Sequence, residues 1–287
     1  MNRRIFLGTA AAAFLRARTA LEVAYAGSMA SVMEGPMRRA VAADLGLELE
    51  GRAQGASGLA RLIASGSIRP DVFLSITRSP VETVLQAGKA DDARPVARTE
   101  MVIAYSPKSR FAPRLGAEPW WEVLEQPAIR FGRTDPVTDP QGRNIIFVLQ
   151  LAASLYGQPD LPRRILGSDV NPQQIFTEPS IQARLQSGAL DAASAYKVQP
   201  AAFHLPYIRL PEEINLASGS HFAQYRRASL TLNGQTYYPE PLVYYAAALK
   251  EAPHHAEALR FMEWLQGKSA QEVLRRAGYD PAGDTTI

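Results

Sequence analysis

Two short segments in the first quarter of the chain join a serine hydroxyl to glycine-flanked backbone amides: Ala26-Gly27-Ser28 and Gly55-Ala56-Ser57-Gly58. Each follows a run of strand character and opens a helical one. Its amides therefore sit at a helix N-terminus, where backbone N–H groups lack intrahelical partners and the helix dipole is positive. Such a nest holds an oxyanion by hydrogen bonds alone, without a formal positive charge. The same serines serve equally well as ordinary helix caps, and residue type leaves both readings open. Neither segment is a nucleotide phosphate loop. The one Gly-Lys-Ser, at Gly267-Lys268-Ser269, has Met262 where such a loop needs its first glycine.

The run Phe131-Gly132-Arg133-Thr134-Asp135-Pro136-Val137-Thr138-Asp139-Pro140-Gln141-Gly142-Arg143 is the most distinctive in the chain. Two Asp-Pro steps and a glycine between strand and helix fix a rigid loop whose end presents Asp139 and several amides. By residue type alone, Asp135 and Asp139 are turn and cap residues. Other polar features say less. Tyr237-Tyr238 and Tyr244-Tyr245 suit phenolate ligation of ferric iron, but alternation around Asn233-Gly234 also explains them as packing residues with one wet face. His254 and His255 are adjacent rather than four apart, so they share no helix face for a metal. His204 and His221 have no evident partner. A Gly-x-Ser-x-Gly elbow is absent, and no spacing pairs a serine with a histidine and an acid. Zero cysteines exclude disulfides, thiolate metal sites, a cysteine nucleophile and a lipoprotein anchor.

The elements that must position these groups alternate. Strands are expected at 21–26, 47–54 and 71–75, with helices at 32–45 and 58–65 between them and Gly or Pro at the joints. Met101–Tyr105 opens a second region of the same kind, with 129–132, 143–156, 181–186 and 191–196 as its elements. Asn233-Gly234 marks a type I′ hairpin between 228–232 and 235–238, and helices from about Pro253 and Ala270 close the chain and return to the first region. Two lobes follow, each a mostly parallel sheet flanked by helices. A weak repeat supports this. Ala60-Arg61-Leu62-Ile63-Ala64-Ser65-Gly66 leads into Asp71, and Ala183-Arg184-Leu185-Gln186-Ser187-Gly188 leads into Asp191. Ligands of open α/β sheets sit beyond the strands' carboxyl ends, so the equivalent helix starts at Ser57-Gly58 and Glu178-Pro179-Ser180 are expected to face one cleft.

With 287 residues, 46% hydrophobic and 21% charged, the chain has the composition of a globular protein with two lobes of ordinary size. Its formal charge of +3 is scattered rather than gathered into a stripe, which argues against nucleic acid as a partner. Asn2-Arg3-Arg4-Ile5-Phe6-Leu7-Gly8 and the apolar run to Leu15 match an export signal of twin-arginine type, residues 1–20, and hence a periplasmic protein.

The Asp-Pro loop resembles that of the periplasmic molybdate/tungstate-binding proteins, particularly their archaeal-type branch. The resemblance extends in order through Ala26-Gly27-Ser28, Gly55-Ala56-Ser57, Asp71-Val72, Val102-Ile103-Ala104-Tyr105, Trp120-Trp121-Glu122-Val123-Leu124, Ser187-Gly188, Asp191, Ala195-Tyr196-Lys197 and Leu210-Pro211-Glu212-Glu213-Ile214-Asn215-Leu216. It implies a type II-like periplasmic binding fold, lobe 1 being 21–97 plus 211–287 and lobe 2 being 98–210, with hinge crossings near 97 and 210. It also implies a monomeric, non-enzymatic receptor without a cofactor, which delivers a small oxyanion to a membrane ABC permease. The ligand-binding residues it implies are Gly27, Ser28, Ala56, Ser57, Asp139, Pro140, Glu178 and Tyr196, the carboxylates of Asp139 and Glu178 reaching the metal. Gln141 stands where the archaeal relatives carry cysteine, and the segment before Glu178 is shorter. The alternatives are a receptor for ferric iron or another oxyanion, or an α/β enzyme whose cleft takes a phosphorylated or carboxylated substrate.

Overall fold

A computed structural model describes residues 18–283. Residues 1–17, which hold most of the expected export signal, lie outside the described residues. From β1 (Ala20–Ala26) the chain passes through a 3-10 turn, Gly27–Met29, into α1 (Ala30–Val32) and α2 (Arg38–Asp44), which are joined by a π-helical turn, Met33–Met37. The wider turn absorbs Pro36, whose ring and missing N–H would otherwise break a continuous helix. β2 (Glu48–Gln54), α3 (Ala56–Ala64), β3 (Val72–Ile76), α4 (Arg78–Gln86) and β4 (Arg94–Arg98) follow. The second region runs β5 (Met101–Tyr105), α5 (Ala112–Leu115), α6 (Trp120–Leu124), β6 (Phe131–Gly132), α7 (Pro140–Tyr156), α8 (Leu161–Leu166), α9 (Glu178–Ser187), β7 (Ala192–Tyr196), α10 (Val198–Ala202) and β8 (Tyr207–Arg209). Then come α11 (Phe222–Tyr225), β9 (Leu230–Leu232), β10 (Gln235–Tyr237), β11 (Val243–Ala248), α12 (His255–Gln266) and α13 (Lys268–Arg276).

Two helix-flanked sheets result, in the orders β2-β1-β3-β11-β4 and β6-β7-β5-β8. β1 is parallel to β2 and β3, and β6 to β7, but β11 is antiparallel to β3 and β4, and β5 to β7 and β8. Each sheet is thus mostly parallel, as expected from sequence, with one strand reversed: β11 in the first and β5 in the second. Direction of travel is the reason. β5 and β11 are the strands on which the chain enters a sheet from the other one; entering where the neighbouring strands end, each must run against them. The central strands β3, β7 and β11 are buried along their whole length, which accounts for their unbroken apolar runs.

The internal repeat is structural. Gly66 and Gly188 end their helices at φ +74° and +83°, values that favour glycine. Beyond them, the Asp71 amide donates to the Glu22 carbonyl (2.8 Å) and its Oδ2 accepts from the Glu22 amide (2.8 Å). Asp191 makes the same two bonds to Arg130, both at 2.9 Å. Each aspartate pins the start of its strand to the neighbouring strand.

Asn233 and Gly234 both have positive φ, 50° and 79°, as a type I′ turn requires. The hairpin they make packs on α7, through Gln150 to both backbone groups of Ser229 (2.9 and 3.0 Å) and through the Arg143 guanidinium 4.5 Å over the Tyr237 ring. This excursion thus covers α7 of the second region, with Leu230 buried in the core. α12 and α13 return to the first sheet, where Gln271 donates to the Val96 carbonyl (3.0 Å) and Asp280 bridges Arg98. Among the described residues no helix is long and apolar enough to cross a membrane.

Candidate functional site

A cavity of about 260 Å3 lies between the two sheets. Ala26, Gly27, Ser28, Gly55, Ala56 and Ile76 line it from the first, and Thr138, Asp139, Pro140, Glu178 and Tyr196 from the second. Four helical segments begin there: the run opened by Gly27, α3, α7 and α9. Strands that end on one edge force this arrangement, because the helix after each must start on that edge. Of the residues expected from sequence, all but Ser57 line the cavity. Ser57 is one residue further into α3 and half-buried.

The first wall is neutral and rich in donors. Gly55 caps α3 without a side-chain bond, which leaves the first amides of that helix, at Ala56 and Ser57, without an intrahelical acceptor. The run at Gly27 likewise starts without a side-chain cap. The Ser28 hydroxyl lies 2.9 Å from the Tyr244 hydroxyl, and the Tyr279 hydroxyl donates to the Ser28 carbonyl (3.3 Å). Burial pushes the Tyr244 phenol far up, so it keeps its proton.

The opposite wall carries the charge. Asp139 caps α7, its Oδ1 accepting from the Gln141 amide (2.9 Å), as residue type suggested, and its carboxyl also faces the cavity. Asp135 is a turn residue, accepting from the Val137 amide (2.9 Å). Burial raises the Asp139 carboxyl above the usual range, against the opposing pull of the Gln141 amide, the Thr134 hydroxyl and Arg143. Glu178 opens α9, and Gln199 Nε2 donates to its Oε1 (2.6 Å). Burial raises its carboxyl too, and the charge of Asp139 adds to the rise. The Tyr196 hydroxyl accepts from Asn144 Nδ2 (3.1 Å). Among the described residues, no lysine or arginine lines the cavity.

A family of bacterial extracellular solute-binding proteins matches residues 21–280. The chain belongs to this family. Among its relatives is the molybdate/tungstate-binding protein WtpA of Pyrococcus abyssi, 27% identical over 288 residues, which cover 91% of this chain and 84% of the relative. The periplasmic molybdate-binding protein of Azotobacter vinelandii has the same two-lobed fold (TM-score 0.61, 19% identity, 90% of this chain and 98% of that one). So does the sulfate-binding protein SubI of Mycobacterium tuberculosis (TM-score 0.63, 12% identity, 93% and 88%). The fold of this solute-binding protein is therefore shared by receptors for different anions, and selectivity must come from the residues around the cavity.

The sequence does not mark several of those residues as parts of one site. Tyr244 looked like a packing residue with one wet face; it is buried, and its hydroxyl reaches Ser28 from 216 residues away. Tyr279 joins it from the C-terminal segment, ring centroids 5.3 Å apart. Asn144, Gln141 and Gln199, all buried, support the second wall. The histidine pair is structural: the His254 amide donates to Asp71 (2.8 Å), and His255 Nδ1 lies 2.8 Å from the Leu249 carbonyl.

Proposed function

We propose that the protein captures molybdate or tungstate between its lobes and delivers it to a membrane ABC permease. One observation carries this reading: the cavity joins a wall of uncharged donors at helix N-termini to a wall bearing two carboxylates with no cation among the lining residues. The donor wall suits an anion's oxygens. A carboxylate aimed at those oxygens loses Coulomb energy, so Asp139 and Glu178 make sense only as ligands to an electrophilic metal centre. Four oxo groups and two carboxylate oxygens give six-coordination, which molybdenum and tungsten accept and the small sulfur of sulfate does not. On this reading Gly27, Ser28, Ala56 and Ser57 supply hydroxyl or amide donors, Pro140 shapes the rim and Tyr196 donates its phenol. The similarity to the Pyrococcus protein supports the choice of anion.

The receptor is exported by the segment Asn2 to Leu15, acts as a monomer, has no catalytic residue, and hinges near residues 97 and 210. Calorimetric titration tests it. Molybdate and tungstate are expected to bind, with sulfate and phosphate failing to compete, and Asp139→Ala or Glu178→Ala to weaken the metal oxyanions far more than any residual sulfate binding. Failure of the wild type to bind either metal oxyanion would overturn the reading. The phenols of Tyr196, Tyr244 and Tyr279 beside two carboxylates favour a ferric receptor as the second reading. A ferric receptor would give a visible phenolate-to-iron absorption band with ferric citrate, and the molybdate or tungstate reading expects none.

A further inference from the structure

Behind the carboxylate wall, two buried amide side chains form one chain of hydrogen bonds. Gln199 Nε2 donates to Glu178 Oε1 (2.6 Å) and to Gln141 Oε1 (3.0 Å), while its Oε1 accepts from the Tyr196 amide (2.8 Å). Gln141 Nε2 in turn donates to the Ser194 carbonyl (3.0 Å), and the Gln141 amide donates to Asp139 Oδ1 (2.9 Å). Each amide's orientation is fixed. Turning Gln199 over would set its oxygen against two other oxygens and its NH2 against the Tyr196 N–H, leaving buried polar groups unpaired.

We propose that Gln199 is a positioning residue for oxyanion capture: through Gln141 it ties Glu178 to Asp139, so that one oxygen of each carboxylate is held and the other is offered to the metal centre. This rests on the functional reading above. Two such oxygens are the number that turns a tetrahedral oxyanion into a six-coordinate complex, and their spacing is set before the anion arrives. Outer partners that orient metal-ligating groups in this way typically govern affinity by about 10–100-fold. Gln141 and Gln199 are 2% and 5% exposed, so neither meets the ligand by its own surface.

The experiment compares wild type, Gln199→Leu and the near-isosteric Gln199→Glu in the full mature chain, by calorimetry with molybdate, tungstate and sulfate and by X-ray absorption of the bound metal. Glutamate at 199 keeps the acceptor for the Tyr196 amide but cannot donate to Glu178 and Gln141. Both variants are expected to lose about 10–100-fold in affinity for the metal oxyanions, with sulfate unaffected and fewer oxygen neighbours around the metal than in wild type. Should Gln199→Leu fail to fold, Gln199→Glu decides. Variants with wild-type affinity, or with reduced affinity but unchanged coordination number, overturn the positioning role and leave the receptor reading intact. A wild type that binds neither metal oxyanion overturns both.

Discussion

A serine hydroxyl has one hydrogen and two lone pairs, and what it offers a ligand depends on its other neighbour. At Ser28 that neighbour is the Tyr244 phenol, which burial keeps protonated. If Tyr244 donates to Ser28 Oγ, the Ser28 hydrogen turns toward the cavity. Ser28→Ala is then expected to reduce oxyanion binding by about 1.5–3 kcal/mol, as for a bond to a charged acceptor, and Tyr244→Phe by about 0.5–1.5 kcal/mol. The double variant should cost less than the sum, because Tyr244 acts through Ser28; calorimetric values additive to within about 0.5 kcal/mol would separate the two. Ser57→Ala should matter less than Ser28→Ala, since the Ser57 amide survives the substitution.

Helices and strands place these residues by a device used in both sheets, an aspartate that clamps the start of a strand to its neighbour. Asp71 and Asp191 were visible in the sequence as a repeat, and their bonds explain why the residue type recurs. At Asp191, burial raises the carboxyl, but the bonds from Arg130 and from the Ser109 hydroxyl (2.7 Å) outweigh it and hold the group below its ordinary value. A depressed carboxylate stabilises the fold fully above the unfolded-state pKa of about 4 and loses that contribution as pH falls through the folded value. Melting curves across pH are expected to show wild type more stable than Asp191→Asn above about pH 4, with the gap closing on acidification. A gap independent of pH would remove the charge from the account and leave only packing.

At the scale of the molecule, the β4-to-β5 crossing runs through Thr99 and Glu100, both buried. Glu100 there accepts from Asn215 (2.9 Å) and pairs with Arg209 (2.9 Å) and, at 3.8 Å, with Lys197, which also pairs with Asp280. Strands cross between the sheets while helix starts meet at the cleft, so the two walls can approach by rotation about the crossings without breaking either sheet. Small-angle scattering is expected to show a smaller radius of gyration with saturating molybdate. The melting temperature should rise as well, corresponding to about 2.7 kcal/mol when free ligand is about 100 times Kd. An unchanged radius in the presence of binding would argue for a preformed, closed site.

Alternation of strands and helices, the Asn-Gly hairpin, the glycine-ended helices and the placement of Ser28, Ala56, Asp139 and Glu178 at helix starts were legible in the residues themselves. Local hydrophobic period and turn chemistry decide those features within a few residues of chain. The reversal of β5 and β11, the docking of the hairpin on α7, and the partners behind each wall were not. Tyr244 meets Ser28 across 216 positions, and Gln199 meets Gln141 across 58. No local pattern encodes such meetings, because a buried tyrosine or glutamine in a strand or helix start has the same sequence signature whether its polar end finds solvent, backbone or a site. Only the packing of the two sheets decides which, and it is that packing which turns a row of helix caps into a cavity with a donor wall and a carboxylate wall.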